Sequence, residues 1–124
     1  VLEFTLSDMN DRYAFGRPIS SFQALKHRVA DILLWLESAK ATTDAAIGAV
    51  DDRADDADRL VRVAKAFVAD KALTIIGECI QFHGGIAMTW EHDIHLYLRR
   101  STVNRALYGT PEHHRERLCE LLGM

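Results

Sequence analysis

Apolar residues recur at spacings of three and four over two long stretches of the chain, the period that keeps one face of a helix dry. The first stretch carries Phe22, Leu25, Val29, Ile32, Leu33 and Leu36, then thins into Ala39, Ala45, Ala46 and Ile47. Phe15-Gly16-Arg17-Pro18 closes whatever precedes it, and Ser20 or Ser21 stands where an N-cap is expected. The second stretch carries Val61, Ala64, Val68, Ala72, Ile75 and Cys79. It follows the acidic run Asp51 to Asp56, whose carboxylates suit the positive end of a helix, and it stops at Gly84-Gly85, glycine being the usual left-handed C-cap. A turn-like segment, 86–92, leads to a third helix predicted over about 93–107. Gly109-Thr110-Pro111 interrupts the pattern, and a short amphipathic helix over 112–122 closes the chain. Residues 1–13 read as the end of another helix. No segment alternates as a half-buried strand does, and no repeat of fixed period occurs. The predicted fold is all-α, an up-down helical bundle.

Composition narrows the partners. A chain of 124 residues suits one core, and hydrophobic and charged fractions of 48% and 27% are those of an ordinary folded domain. The formal net charge is −3, with basic residues spread along the chain, so nucleic acid is not an expected partner. No apolar run approaches the roughly 20 residues of a membrane span, so no membrane is expected either. Cys79 and Cys119 form no CxxC motif; each is expected to be a small buried residue, and a reducing cytoplasm fits best. His83, His92 and His95 lack the spacing of a zinc helix motif, so no metal is assigned. His113-His114 is expected to be exposed, and Trp35 and Trp90 to pack. Val1 enters directly into a helical pattern without an initiator Met, so the natural chain is expected to start earlier.

Three stretches carry a more specific signal. Arg12-Tyr13-Ala14-Phe15-Gly16-Arg17-Pro18-Ile19, followed by Gln23, is similar to the R-x-x-F-G-x-P-I-x-x-x-Q segment of acyl-CoA dehydrogenases. Gln81 to Glu91, with Gly84-Gly85 inside it, resembles that family's Q-x-x-G-G-x-G-x-x-x-E stretch. Leu107-Tyr108-Gly109-Thr110 resembles the end of its Y-E-G-T loop. Together they cover nearly the whole chain, in order, across the two long helices. The resemblance implies the C-terminal helical domain of the family, with the N-terminal helical and middle β-domains absent from residues 1–124. It further implies FAD as cofactor, an acyl-CoA thioester as substrate, an electron-transfer flavoprotein as electron acceptor, and a tetramer of this subunit with itself or a paralogue.

The resemblance also assigns roles. Arg12 is expected at the FAD pyrophosphate, where a guanidinium fork matches phosphate oxygens. Phe15 is expected to pack against the cofactor and Gln23 to donate to its adenosine-pyrophosphate part. Gln81, Gly84 and Gly85 are expected to make the other contact, on a subunit related by symmetry, since glycine lets backbone approach a ligand closely. Thr110 and Glu112 match positions at the flavin end. Each residue also has a plain alternative: a solvated arginine, a core aromatic, a Gly-Gly helix stop. The general base of the reaction is a glutamate that usually precedes Gly-Thr, and here that position is Tyr108, a phenol of pKa about 10 and a poor base near neutrality. Some branches carry the base on an earlier helix, and Glu3 lies too near Phe15 to match it. No catalytic base is assigned. Two other readings follow: a non-catalytic partner subunit of a hetero-oligomeric dehydrogenase, and a stand-alone helical interaction module.

Overall fold

The computed structural model describes residues 1–124 and contains five α-helices: α1 (Leu2–Asp11), α2 (Gln23–Asp51), α3 (Ala57–His83), α4 (Ile94–Ala106) and α5 (Pro111–Leu121). The bundle is built on the α2–α3 hairpin. Antiparallel packing brings Arg28 to Glu78, and Lys71 Nζ lies 4.6 Å from the Trp35 ring. Small residues let the two helices close up over their far halves, where Ala46, Ala49, Ala64, Ala66 and Ala69 are buried. The larger apolar residues gather at the other end. Met9, Ile19, Ile32, Ile75, Cys79, Phe82, Ala87 and Ile94 form one cluster around the C-terminal half of α3. The candidate residues Arg12 and Gly84 follow directly on the ends of α1 and α3, close in sequence to Met9 and Phe82 of that cluster.

Helix α2 starts at Gln23, and neither Ser20 nor Ser21 caps it. Ile19–Ser21 is a 3-10 turn in which the Ser21 hydroxyl donates back to the Pro18 carbonyl at 2.7 Å, and the helical ladder begins from the Phe22 carbonyl. The chain also holds a two-stranded hairpin that the pattern does not predict, β1 (Tyr13–Ala14) against β2 (Arg17–Pro18). Strands of two residues are too short to show alternation. The turn between them is Phe15-Gly16 at φ 52° and 77°, the doubly left-handed geometry of a tight hairpin.

The helical stripes are narrower than the period suggests, since Leu33 and Val61 are exposed while Ile32, Ala64, Ile75 and Cys79 are buried. Proline opens α5 instead of interrupting it: Pro111 is its first residue, and the Thr110 hydroxyl caps the His113 N–H. Three expectations for single residues fail. Cys119 is exposed, because α5 turns only one side to α3, whereas burial pushes the Cys79 thiol up and makes it an inert packing group. His114 is buried, on the side of α5 that faces α3. Trp90 is likewise on the surface, lying against His95 and Arg99, and only Trp35 packs within the bundle.

Candidate cofactor site

The end of α3 leaves carbonyls without helical partners, and Arg12 supplies them with donors. Its Nη1 donates to the carbonyls of Phe82 at 3.0 Å and His83 at 2.7 Å, and contacts Asp8 Oδ2 at 3.3 Å. Every side-chain hydrogen bond of Arg12 leaves from Nη1, so Nη2 and Nε remain available on a side chain 45% exposed. Gly84 ends the helix at φ 67°, ψ −145°, a conformation open only to glycine, and a Cβ there meets Arg12 Nη2 at 3.7 Å. At Gly85 a Cβ meets nothing within 4 Å, so the space beside that backbone is open. A guanidinium with spare donors next to an uncovered glycine backbone is a donor set suited to phosphate oxygens. Arg12 and Gly84 therefore belong to one corner of one chain, where the sequence reading divides them between symmetry-related subunits.

Phe15 lies at the tip of the hairpin, 96% exposed at φ 52°, its ring edge-on to Phe22 with centroids 6.3 Å apart. Gln23 begins α2 and is exposed, its Nε2 2.8 Å from His27 Nε2. Gln81 is exposed in the last turn of α3.

Tyr108, Thr110 and Glu112 form a second group that the fold does not bring to this corner. Arg105 ties Glu112 to α3: it pairs with Glu112 Oε1 at 2.5 Å and with Asp70 Oδ1 at 3.4 Å, and Asp70 also binds Arg115. Asp70 precedes His83 by roughly thirteen residues of α3, about 20 Å along its axis. The Glu112 carboxyl is held below its ordinary range by backbone N–H at the start of α5, by Thr110 and by Arg105. Tyr108 is 93% exposed at φ 59°.

A buried polar cluster behind Arg12 escapes the sequence reading, which weighs His83 only as a metal ligand. His83 is 2% exposed; its Nε2 lies 3.1 Å from Thr5 Oγ1, and its Nδ1 lies 3.3 Å from Asp8 Oδ2 without an aligned hydrogen bond. Phe4 stacks on the ring with centroids 5.0 Å apart, and the His92 ring lies tilted against it at 4.6 Å. The available signal is position: a histidine one residue before a glycine stop lies against whatever packs on the helix end. Burial pushes the His83 pKa down, against the pull of Asp8. An unfolded chain therefore binds a proton here that the folded chain refuses, and stability falls as pH drops through about 6.5, levelling off below the lowered folded value. Urea midpoints measured on either side of that pH are expected to fall on the acid side, with the slope reduced in His83→Gln. An unchanged slope in the variant assigns the acid sensitivity elsewhere.

Residues 1–122 match the acyl-CoA dehydrogenase C-terminal domain family, and the chain belongs to it. Among its relatives, the acyl-CoA dehydrogenase IpdE2 of Mycolicibacterium smegmatis is 40% identical over 117 residues, covering 94% of this chain and 36% of that protein. Two solved structures superpose at a TM-score of 0.91 with 29% identity: an FAD complex of PigA, and a steroid acyl-CoA dehydrogenase described as Tcur3481-Tcur3483 G363A variant. Each covers 98% of this chain, which spans 32% and 34% of theirs. The chain thus spans about a third of the length of these three proteins. No helix is long and apolar enough to cross a membrane.

Proposed function

We propose that this chain is the FAD-binding and oligomerisation domain of an acyl-CoA dehydrogenase that desaturates an acyl-CoA thioester and passes electrons to an electron-transfer flavoprotein. The observation that carries the reading is the corner at the end of α3, where Arg12 keeps Nη2 and Nε free beside the open backbone of Gly85. Arg12, Gly84 and Gly85 would hold the pyrophosphate, with Phe15, Gln23 and Gln81 around the adenosine part. Thr110 and Glu112 would meet the flavin end. Their separation along α3 argues that the two groups serve different FAD molecules in an assembly. When bound, FAD supplies the hydride acceptor; this chain supplies donors, packing and the turn at Tyr108. The N-terminal helical and middle β-domains complete the envelope, and a cytoplasmic location is consistent with two free thiols. Exposed apolar side chains on the long helices, among them Leu33, Leu34, Ile47 and Val50, favour assembly with a second subunit.

A specific observation favours a second reading within the family. Tyr108 stands where the glutamate base is expected, and a structure with 29% identity carries the double name Tcur3481-Tcur3483. The base would then sit on a companion chain, or on an earlier helix of this one. Anaerobic addition of straight-chain and ring acyl-CoA esters to the full-length protein, with and without its companion, tests both readings. Bleaching of the flavin supports dehydrogenation, and a flavin that stays oxidised with every ester opposes it.

Tyr108→Phe is expected to keep turnover within about threefold, because the ring is retained and the phenol is not the base. Removing a general base lowers turnover by roughly 10²–10⁴-fold. A fall of that size, with FAD content unchanged, identifies Tyr108 as the proton acceptor instead.

A further inference from the structure

We infer that His114 is a positioning residue for the turn that carries Tyr108, and through that turn shapes the wall of the acyl pocket. The inference rests on the functional reading above and adds to it that the Tyr108 ring, standing where the glutamate base is expected, fills part of that pocket. Two consecutive residues here are left-handed, Tyr108 at φ 59° and Gly109 at φ 101°. A side chain rarely adopts that geometry without something to hold it. The Tyr108 ring, 93% exposed, makes too little contact to do so.

His114 holds the turn from both sides. Its backbone N–H donates to the Thr110 carbonyl at 3.1 Å, and its Nε2 lies 3.0 Å from the Tyr108 carbonyl. A carbonyl only accepts, so the hydrogen is on Nε2, which fixes the tautomer of a ring that is 8% exposed. The ring also explains Gly109: a Cβ there would stand 3.0 Å from His114 Nε2 and 2.9 Å from His113 Cδ2. Glycine is needed both for the dihedral and for the approach of the two imidazoles. Below the turn, Arg105 and Asp70 fix the start of α5, leaving His114 as the side chain that binds Tyr108 itself. None of these contacts passes through the phenol, so the device orients a ring and moves no proton.

The test compares His114→Ala, His114→Gln and Tyr108→Ala in the full-length flavoprotein. His114→Ala is expected to raise KM for the acyl-CoA ester roughly three- to tenfold, the scale of one lost hydrogen bond, with kcat and FAD content little changed. A glutamine amide can donate to the same carbonyl, so His114→Gln should restore most of the affinity. Adding His114→Ala to Tyr108→Ala should cost little more than Tyr108→Ala alone, because both act on one ring. An unchanged KM in His114→Ala, or additive losses in the double variant, overturns the inference. So does a glutamine variant as impaired as alanine with its turn intact. Amide hydrogen exchange at Gly109 and Thr110 is read in parallel and does not depend on turnover. Faster exchange in His114→Ala with an unmoved KM leaves the histidine a structural clamp only and rejects its role in the pocket. A wild-type protein that turns over no ester fails the functional reading itself, whatever the exchange rates are.

Discussion

Arg12→Ala in the full-length protein is expected to raise the FAD dissociation constant by roughly ten- to hundredfold, matching the about 1.5–3 kcal/mol of a charge-assisted hydrogen bond. The guanidinium has two roles, and the substitution removes both. Through Nη1 it caps the Phe82 and His83 carbonyls, and through Nη2 and Nε it offers donors beside Gly84 and Gly85. Loss of the cap frays the end of α3 and lowers stability; loss of the outward donors weakens the cofactor alone. Arg12→Lys separates the two, since an ammonium retains charge and can donate to a carbonyl yet lacks the fork that matches two phosphate oxygens. Lysine should therefore recover more stability than FAD affinity. Flavin titration and urea unfolding of the three proteins decide it, and an FAD dissociation constant unchanged in Arg12→Ala reduces the arginine to a helix cap.

Ile32→Ala is expected to destabilise the chain by about 2–5 kcal/mol, a large share of the roughly 5–15 kcal/mol that holds an ordinary domain folded. Ile32 is 0% exposed and belongs to the cluster with Met9, Ile75, Cys79 and Phe82, so its removal leaves a cavity where α1, α2 and α3 meet. The same cluster carries the elements that hold Arg12 and Gly84, so FAD affinity should fall with stability. Leu33, next in sequence and 50% exposed, provides the contrast. Truncated to alanine it should cost the single chain far less, and a larger cost in the assembly would report that a neighbouring subunit covers it. Equal losses at Ile32 and Leu33 in the single chain would mean that the core is placed wrongly.

The helices themselves were legible because their signals are local and repeat. The period of Leu25, Val29, Ile32 and Leu36 marks the buried face of α2, and Gly84 ends α3 because few other residues tolerate its dihedrals. The hairpin at Phe15-Gly16 was not legible: two paired residues a side give no period, and the left-handed φ of Phe15 is a property of the turn, not of phenylalanine. Histidines were the other blind spot. His83 and His114 look alike in the sequence, and both are buried only because a different helix lies across them. Arg12 shows the limit most clearly. The family resemblance assigned it to a phosphate, and the fold shows that it also caps a helix end 70 residues further along the chain. A sequence motif records that an arginine is needed, and only the fold reveals which carbonyls it also serves.

Where Arg12 directs its outward donors is read directly from a crystal structure of the full-length protein with FAD bound. The pyrophosphate oxygens are expected within hydrogen-bonding distance of Arg12 Nη2 or Nε and of the backbone at Gly84-Gly85, with the flavin of a different FAD near Thr110. A pyrophosphate bound elsewhere, with Arg12 engaged only with Phe82, His83 and Asp8, would contradict that placement.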